Sequence, residues 1–293
     1  MKKYSVVLGS FDGVHAGHKK VISLAAQSGD ATVAAVYFLV PPAPDGNAKE
    51  LITNESQRRR LFKTAGVKKL IALQFDEVRQ LSPEAFFRFL RDAFNPQVIC
   101  CGFNYRFGKN AAGDTNTLKR LCDKAGIELR VAEPVTADGI TVSSSAVREY
   151  IKSGDMKHAG LMLGRPFSFE GQVQKGDGRG KSFGFPTANT AYPDELIKPK
   201  AGVYISRVWV KNKCYNAVTN LGGRPTYPAD NPPAETYILD KCGNLYGKQI
   251  KTELFEYIRE QKKFESAEEL KTAIASDVCA AKRFFENKAN TDF

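Results

Sequence analysis

The start of the chain decides the fold of its first half, and it reads Tyr4-Ser-Val-Val-Leu8 followed by Gly9-Ser-Phe-Asp-Gly13-Val-His15-Ala-Gly17-His18. The first five residues predict a buried strand, and the glycines predict a turn into a helix over residues 17–27. Glycines let the backbone approach a ligand closely, and the free N–H groups at a helix start favour anions. The stretch is therefore a candidate phosphate-binding turn.

The rest of the first half continues this alternation of strands and helices. Strands are predicted over residues 32–38, 69–74, 98–101 and 128–132, and helices over 55–65, 83–93 and 114–125. Such alternation is typical of parallel β-α-β units in a doubly wound sheet. Ligands of these sheets bind at the carboxyl ends of the strands.

The pattern changes near residue 160. Short β-rich runs at 167–173, 202–210, 213–221, 235–239 and 250–258 predict a closed or nearly closed antiparallel barrel. A final helix opens with the capping box Ser266-Ala-Glu-Glu269, and its apolar stripe would comprise Leu270, Ile274, Val278 and Ala281. We therefore predict an α/β protein with a doubly wound parallel-sheet domain at 1–160 and a β-barrel domain with a terminal helix at 161–293.

Composition excludes several classes of protein. The 293 residues suffice for about two domains of ~150 residues each, and 42% hydrophobic with 26% charged residues excludes wholesale disorder. The longest apolar run, at 33–40, is too short to span a bilayer, and the N-terminus lacks the apolar stretch of a signal peptide. The six cysteines, two of them adjacent, do not resemble a disulfide framework, which favours a reduced cytoplasm, and the lack of a Cys-x-x-Cys pair disfavours a cysteine zinc site.

The net charge of +11, from 43 Lys+Arg against 32 Asp+Glu, is spread over both halves. Nucleic acid, small phosphorylated ligands or simply a basic surface would all fit this excess. Because the chain has no RNA-binding signature and no arginine-rich tail, nucleic acid is the minor prospect.

Two of the three histidines, His15 and His18, lie in the opening motif. Imidazoles can hydrogen-bond phosphate oxygens in either protonation state, although capping or packing would also explain them. Two later segments belong to the same edge of the sheet: Gly102-Phe-Asn104-Tyr-Arg-Phe-Gly108 and Ser143-Ser144-Ser145-Ala-Val-Arg148. Hydroxyls, helix N-terminal amides and an arginine one turn on form a plausible phosphate clamp, with simple helix capping as the alternative.

The second half contains the glycine-rich run Gly176-Asp-Gly-Arg-Gly180-Lys181-Ser, which lacks the glycine spacing of a P-loop but suits a flap over phosphates. It is followed by Pro186-Thr187-Ala-Asn189. In an extended segment Thr187 and Asn189 face the same side, where two neutral oxygens can ligate Mg²⁺. An ordinary turn is the alternative.

The N-terminal strings together resemble the adenylyltransferase half of the bacterial bifunctional riboflavin kinase/FAD synthetase family, within the nucleotidyltransferase superfamily. That resemblance implies transfer of AMP from ATP to FMN with release of pyrophosphate. It implies catalytic roles on the ATP phosphates for His15, His18 and Arg148, and nucleotide contacts by Gly9, Phe11, Gly17, Asn104, Ser144 and Ser145. Asn104 would contact the nucleotide or the incoming FMN phosphate.

One segment departs from that family pattern. The family usually carries Phe-x-Pro-His-Pro after the second strand, whereas this chain has Phe38-Leu-Val-Pro41-Pro42 and lacks the histidine.

The C-terminal half resembles riboflavin kinase from about 163 to about 285. The matching strings run in order from Gly176 through Gly184-Phe-Pro-Thr187-Ala-Asn189 to Asn220-Leu-Gly-Gly-Arg, Glu235-x-Tyr-x-Leu and Arg259. The resemblance implies Glu235 as the catalytic carboxylate, Thr187 and Asn189 as Mg²⁺ ligands and Arg259 near the flavin. The flap residues Gly176, Gly180, Lys181 and Gly184 would cover ATP.

The expected function is therefore a cytoplasmic enzyme that converts riboflavin to FMN and FMN to FAD, with ATP and Mg²⁺. Two alternatives stay open: a riboflavin kinase with a weak or inactive adenylyltransferase domain, and a flavin-responsive binding or regulatory protein. The sequence does not indicate an oligomeric state.

Overall fold

A computed structural model describes residues 3–41, 50–176, 184–222, 234–240 and 242–289. The chain forms two compact units, Met1–Ser144 and Ser145–Phe293.

The first unit is built on a five-stranded parallel sheet in the order β3-β2-β1-β4-β5. Its strands are β1 (Tyr4–Leu8), β2 (Thr32–Phe38), β3 (Lys69–Leu73), β4 (Pro96–Gly102) and β5 (Glu128–Ala132). The chain adds β2 and β3 on one side of β1, and β4 and β5 on the other. The loops after the neighbouring strands β1 and β4 therefore lie next to each other at the carboxyl edge of the sheet. The predicted doubly wound parallel sheet is confirmed.

Helices cover both faces of this sheet. They are α1 (Ala16–Ala26), α2 (Glu55–Thr64), α3 (Phe75–Val78), α4 (Pro83–Phe94) and α5 (Thr115–Ala125), and a hairpin of β6 (Thr136–Ala137) and β7 (Ile140–Thr141) follows β5. Val6 and Leu8 of β1 pack in the core that contains α4, while Val7 packs in the core that contains α1. This alternation explains why the strand is apolar at every position.

The second unit is a closed six-stranded barrel in the order β10-β11-β12-β9-β8-β13, with antiparallel pairs. Its strands are β8 (Phe167–Gln174), β9 (Thr187–Thr190), β10 (Gly202–Val210), β11 (Lys213–Leu221), β12 (Ala234–Ile238) and β13 (Gln249–Arg259). Two helices precede it and one follows it: α6 (Ser144–Ser153), α7 (Met156–Leu163) and α8 (Ala267–Ala289). The predicted barrel and terminal helix are therefore confirmed.

The strand β9 is not among the strands that the sequence pattern predicted. Its residues, Thr-Ala-Asn-Thr, are short and polar, and Asn has a low β propensity. Pairing with β12 on one side and β8 on the other holds it extended. The alternative of an ordinary turn at Thr187 and Asn189 is therefore wrong.

A row of buried hydroxyls crosses the barrel interior. The row consists of three fully buried residues, Ser206, Thr219 and Thr236. The hydroxyl oxygen of Thr219 lies 2.8 Å from that of Ser206 and 2.9 Å from that of Thr236. Because side chains alternate along a strand, the residues on either side of Thr236 point to the outer face of the barrel.

The helix α8 is capped and packed close to the predicted pattern. Ser266 Oγ accepts a hydrogen bond from the N–H of Glu269 at 3.1 Å, as in a capping box. The Glu269 carboxylate accepts from the N–H of Glu265, whereas a capping box would have it accept from the N–H of Ser266. Val278 and Ala281 of the predicted stripe pack on the barrel, and Phe285 extends the contact.

A buried ion pair joins this helix to the barrel. The guanidinium of Arg259, at the end of β13, donates to both carboxylate oxygens of Asp277 on α8, with Nε–Oδ1 at 2.9 Å and Nη2–Oδ2 at 2.7 Å. The Asp277 side chain is only 5% exposed, so it has little access to water as a replacement partner.

All six cysteines are free thiols. In the described part of the chain, no helix combines the length and the apolar character that crossing a membrane requires.

Asp277→Asn is expected to lower the free energy of unfolding of the second unit by about 2 kcal/mol, because it leaves the Arg259 guanidinium without its carboxylate. The protein has one tryptophan, Trp209 in β10, so tryptophan fluorescence in urea reports on this unit. Glu260→Gln removes the exposed pair with Lys200 and should cost less than about 1 kcal/mol. Equal losses in the two variants would contradict the importance of the Asp277 contact.

Candidate active sites

The loop after β1 has an unusual backbone. Phe11 and Val14 both adopt positive φ, at 53° and 41°, a conformation that costs free energy for residues with a side chain. The Phe11 ring is fully buried, with its centroid 4.9 Å from that of His18 and 5.2 Å from that of Phe62. A Cβ on Gly9 would lie 3.2 Å from this ring, so glycine allows the ring to pack there.

Asp12 holds this loop in place. Its buried carboxylate accepts hydrogen bonds from the backbone N–H groups of Ile52 and Thr53, at 3.0 Å and 3.2 Å. The Thr53 hydroxyl in turn accepts from the N–H of Gly13 at 3.0 Å. Sequence reasoning missed Asp12, because its partners lie some forty residues away and carry no motif of their own.

His15 caps the helix that follows. Its Nδ1 accepts from the N–H of His18 at 3.3 Å. The rings of His15 and His18 stack with centroids 3.6 Å apart. A Cβ on Gly17 would lie 3.1 Å from His15 Cε1, so glycine leaves room for the stacked pair.

His18 is held in the neutral form. Burial lowers its pKa well below the ordinary 6.5, and the charges of His15 and Arg58 lower this pKa further. Its Nδ1 is buried without a hydrogen-bond partner among the described residues. The opening motif therefore presents two stacked imidazoles, of which at least His18 is neutral at physiological pH.

The other residues expected at the first site lie in separate segments of the chain. Ser144 Oγ donates to the backbone carbonyl of Asp12 at 3.0 Å, which secures the loop that carries His15. Asn104 is exposed just after β4 ends at Gly102, on the edge of the sheet where the loop after β1 also lies. Ser145 and Arg148 belong to the first turns of α6 in the second unit.

A further residue, Arg58 of α2, belongs to this edge, and in the sequence it is the first of three consecutive arginines. It is fully buried, and its guanidinium donates to the carbonyls of Phe38 and Leu39 at 2.9 Å and 2.7 Å. These carbonyls begin the segment in which Pro41 stands at the place of the histidine in the expected motif. Positions 42–44 of that segment lie outside the described residues.

The second site lies on the outer face of the barrel. The strand register sets Asn189 of β9 opposite Glu235 of β12, and Glu235 opposite Asn220 of β11. Directly paired side chains share a face, with Cβ atoms about 4.5–5.5 Å apart. Thr187 lies two residues before Asn189 on the same face of β9. The register thus brings together Thr187, Asn189 and Glu235, as the sequence predicted, and adds Asn220.

The entrance to the glycine-rich flap passes directly over Asn189. A Cβ on Gly176 would lie 2.4 Å from Asn189 Nδ2, so any side chain here would collide with the amide. Gly184, the last residue of the flap, has a φ of 85° that favours glycine. Gly180 and Lys181 lie outside the described residues.

The donor set on this face suits a hard cation. A threonine hydroxyl and an asparagine amide oxygen are neutral oxygen ligands, and Mg²⁺ commonly combines few protein oxygens with waters and substrate phosphates. Among the described residues, no cluster of three or more His, Cys, Asp or Glu forms an alternative metal site.

Arg259 is engaged within the protein. Besides the contacts with Asp277, its Nη1 donates to the Glu260 carbonyl at 3.1 Å, and the guanidinium lies 5.6 Å from the centre of the Phe264 ring. These contacts fix β13 against α8, and the predicted flavin contact stays a prediction.

A titration of the imidazole signals by NMR tests the state of His18. We expect the Cε1–H signal that disappears in His18→Gln to show half-protonation well below pH 6.5. Because the unfolded chain then binds this proton before the folded chain does, the stability of the first unit should fall as the pH drops below about 6.5. A midpoint at or above 6.5 would contradict this environment.

Comparison with known proteins finds a matching family in each half of the chain. A family model described as FAD synthetase matches residues 1–146, and one described as riboflavin kinase matches residues 163–285. Bifunctional riboflavin kinase/FMN adenylyltransferases from Bacillus subtilis and Pseudomonas fluorescens are 34% and 33% identical. The matches cover 97% and 94% of this chain and 93% and 91% of those proteins.

A solved structure also matches nearly the whole chain. It is described as a macrolide-efflux protein from Streptococcus pneumoniae, is 29% identical, covers 96% of this chain and 95% of that one, and has a TM-score of 0.87. Two complete domain matches in the same order as the two sites, together with relatives of this identity over nearly their full length, establish that the chain belongs to the bifunctional riboflavin kinase/FMN adenylyltransferase family.

Proposed function

We propose that this chain phosphorylates riboflavin to FMN with one ATP and joins AMP from a second ATP to FMN, giving FAD and pyrophosphate. The observation that carries the proposal is the presence of two separate sites, each suited to one reaction. The stacked His15–His18 pair lies in the region that matches FAD synthetase. The row of Asn189, Glu235 and Asn220 lies in the region that matches riboflavin kinase.

Adenylyl transfer requires positioning and charge neutralisation rather than a base. A phosphate oxygen of FMN attacks the α-phosphorus of ATP, and the bond from that phosphorus to the bridging oxygen of pyrophosphate breaks. The attacking oxygen is already ionised at neutral pH, so no proton has to be removed. We assign N–H donation to the ATP phosphates to His15, His18 and the start of α6, with Arg148 neutralising charge.

The nucleotide contacts at this site are assigned by the same logic. The side-chain-free backbone at Gly9 and Gly17 and the buried ring of Phe11 shape the loop. Ser144 supports it through the Asp12 carbonyl. Ser145 would bind phosphate, and Asn104 would contact the nucleotide or FMN.

Riboflavin phosphorylation does require a base. The 5′-hydroxyl of riboflavin attacks the γ-phosphorus of ATP, the bond to the bridging oxygen of ADP breaks, and the hydroxyl proton passes to the Glu235 carboxylate. Thr187 and Asn189 would hold Mg²⁺, which supplies charge neutralisation on the phosphates. The flap from Gly176 to Gly184, with Gly180 and Lys181, would cover ATP.

We also propose a substrate class, a cellular location and a boundary between the two functional domains. ATP and FMN are small phosphorylated molecules, which suits the net charge of +11 without a nucleic-acid partner. A cytoplasmic location suits the six free thiols. The functional boundary near residue 160, between the domains 1–160 and 161–293, is likewise proposed.

A second candidate function is that of a riboflavin kinase with a weak adenylyltransferase. Pro41 in place of a histidine favours it, because proline carries no polar side chain. Incubation of the pure protein with FMN, ATP and Mg²⁺, followed by separation of the flavins, decides between the two. FAD would establish the first proposal, whereas conversion of riboflavin to FMN without any FAD would establish the second.

Glu235→Gln is expected to lower riboflavin kinase turnover by about 10²–10⁴-fold, because the amide cannot accept the hydroxyl proton. FAD formation from supplied FMN should stay within about twofold, since that reaction uses the other unit. Glu256→Gln, an exposed change on β13, is the matched control and should alter neither rate. Equal loss of both activities in Glu235→Gln would contradict the assignment of Glu235 as the base of the kinase reaction.

His18→Ala is expected to have the opposite effect. FAD formation should fall by about 10²-fold or more through loss of a phosphate donor, while the kinase rate persists. His158→Ala removes the remaining histidine, in α7 of the second unit, and serves as the control. A defect confined to the kinase reaction would refute the division of labour.

A further inference from the structure

Arg58 is the largest side chain that is fully buried in the described structure. It belongs to the run Arg58-Arg59-Arg60 on α2, and its two neighbours are exposed. Burying a guanidinium is costly unless hydrogen bonds and opposite charge replace the lost water. The surroundings of Arg58 therefore indicate what the buried charge contributes.

The guanidinium joins the ends of two neighbouring parallel strands. Nη1 donates to the carbonyl of Phe38 at 2.9 Å and, at 3.5 Å, to that of Ser10, while Nη2 donates to that of Leu39 at 2.7 Å. Phe38 and Leu39 stand at the end of β2, and Ser10 stands in the loop that carries Asp12 and His15. One side chain thus fixes the spacing between the two chain segments that border the first site.

Opposite charge only partly compensates this cation. Its carboxylate partner is Glu55, with Nη2–Oε2 at 3.4 Å. The other oxygen of Glu55 accepts from the Tyr37 hydroxyl at 2.6 Å and from Arg59 Nε at 2.7 Å, so one carboxylate serves two guanidiniums. Arg58 Nε is buried without a hydrogen-bond partner among the described residues. Around Glu55, one of the two guanidinium charges is therefore left without a carboxylate of its own.

This positive charge acts on the first site. The groups whose charges act on His18 are His15, stacked on it, and Arg58, from α2. Both oppose protonation of His18. In a water-poor environment, the same cation attracts polyphosphate over several ångströms.

We propose that Arg58 is a positioning residue for adenylyl transfer: a buried cation that fixes the ends of β1 and β2 and supplies positive potential for the ATP phosphates at the His15–His18 pair. The inference rests on the proposed function of the first unit. It goes beyond the residues that contact the substrate, because Arg58 is fully buried and acts through the backbone and through its charge.

The test compares Arg58→Met, Arg58→Lys and the exposed control Arg60→Met, each in the full-length protein. Riboflavin kinase turnover in the same sample counts the intact molecules, because that reaction uses the other unit. We expect kcat/KM for ATP in FAD formation to fall about tenfold or more in Arg58→Met. Arg58→Lys should fall less, because lysine keeps the charge but cannot reach three carbonyls in fixed geometry. Arg60→Met should match the parent.

The His18 titration distinguishes this role from simple structural support. Its midpoint should rise in Arg58→Met and stay near the parent value in Arg58→Lys and Arg60→Met. A folded Arg58→Met protein with parental FAD formation, or with an unmoved His18 midpoint, would overturn the proposal.

Two further outcomes are also decisive. If Arg58→Met unfolds the first unit, Arg58→Lys alone settles the matter, and an FAD rate within twofold of the parent would overturn the positioning role. If the parent itself makes no FAD from FMN, the proposed function fails, whereas the His18 midpoints still report whether Arg58 supplies the charge.

Discussion

Strand register is the constraint on which both sites depend. In the barrel, one residue of slip between β9 and β12 would turn Asn189 inward and separate it from Glu235, because side chains alternate between the faces. The buried hydroxyl row of Ser206, Thr219 and Thr236 opposes a corresponding slip of β12 against β11, because the slip would separate hydroxyls that hydrogen-bond one another inside the barrel. The polar interior of the barrel thereby keeps the outer face in register.

In the first unit, the corresponding constraint is the burial of charged groups at the edge of the sheet. Asp12 and Arg58 are both fully buried, and each binds the backbone of a segment remote in sequence. Backbone hydrogen bonds to charged groups are stronger than neutral ones and expensive to break inside a protein. The strained loop at Phe11 and Val14 can persist because these contacts surround it.

The two proposed reactions differ in what they ask of the protein, and the two sites differ accordingly. A phosphate nucleophile needs its charge shielded, and the first site offers imidazoles and a buried cation. A hydroxyl nucleophile needs a proton acceptor, and the second site offers a carboxylate between two amide side chains. This contrast follows from the side chains themselves and does not depend on the names of the relatives.

The sequence by itself determined the parallel sheet and the barrel, because hydrophobic periodicity is a local signal, and its glycine-histidine and threonine-asparagine motifs supplied most of the candidate site residues. It indicated neither the strand β9, whose extended form depends on its partners β8 and β12, nor the pairing of Asn220 with Glu235, which arises only from strand register. Asp12 lies in the predicted turn after β1, and Arg58 lies in a run of three arginines. Only the tertiary structure could bury them, because their hydrogen-bond partners are backbone groups 19 to 48 residues away, and backbone groups leave no trace in sequence.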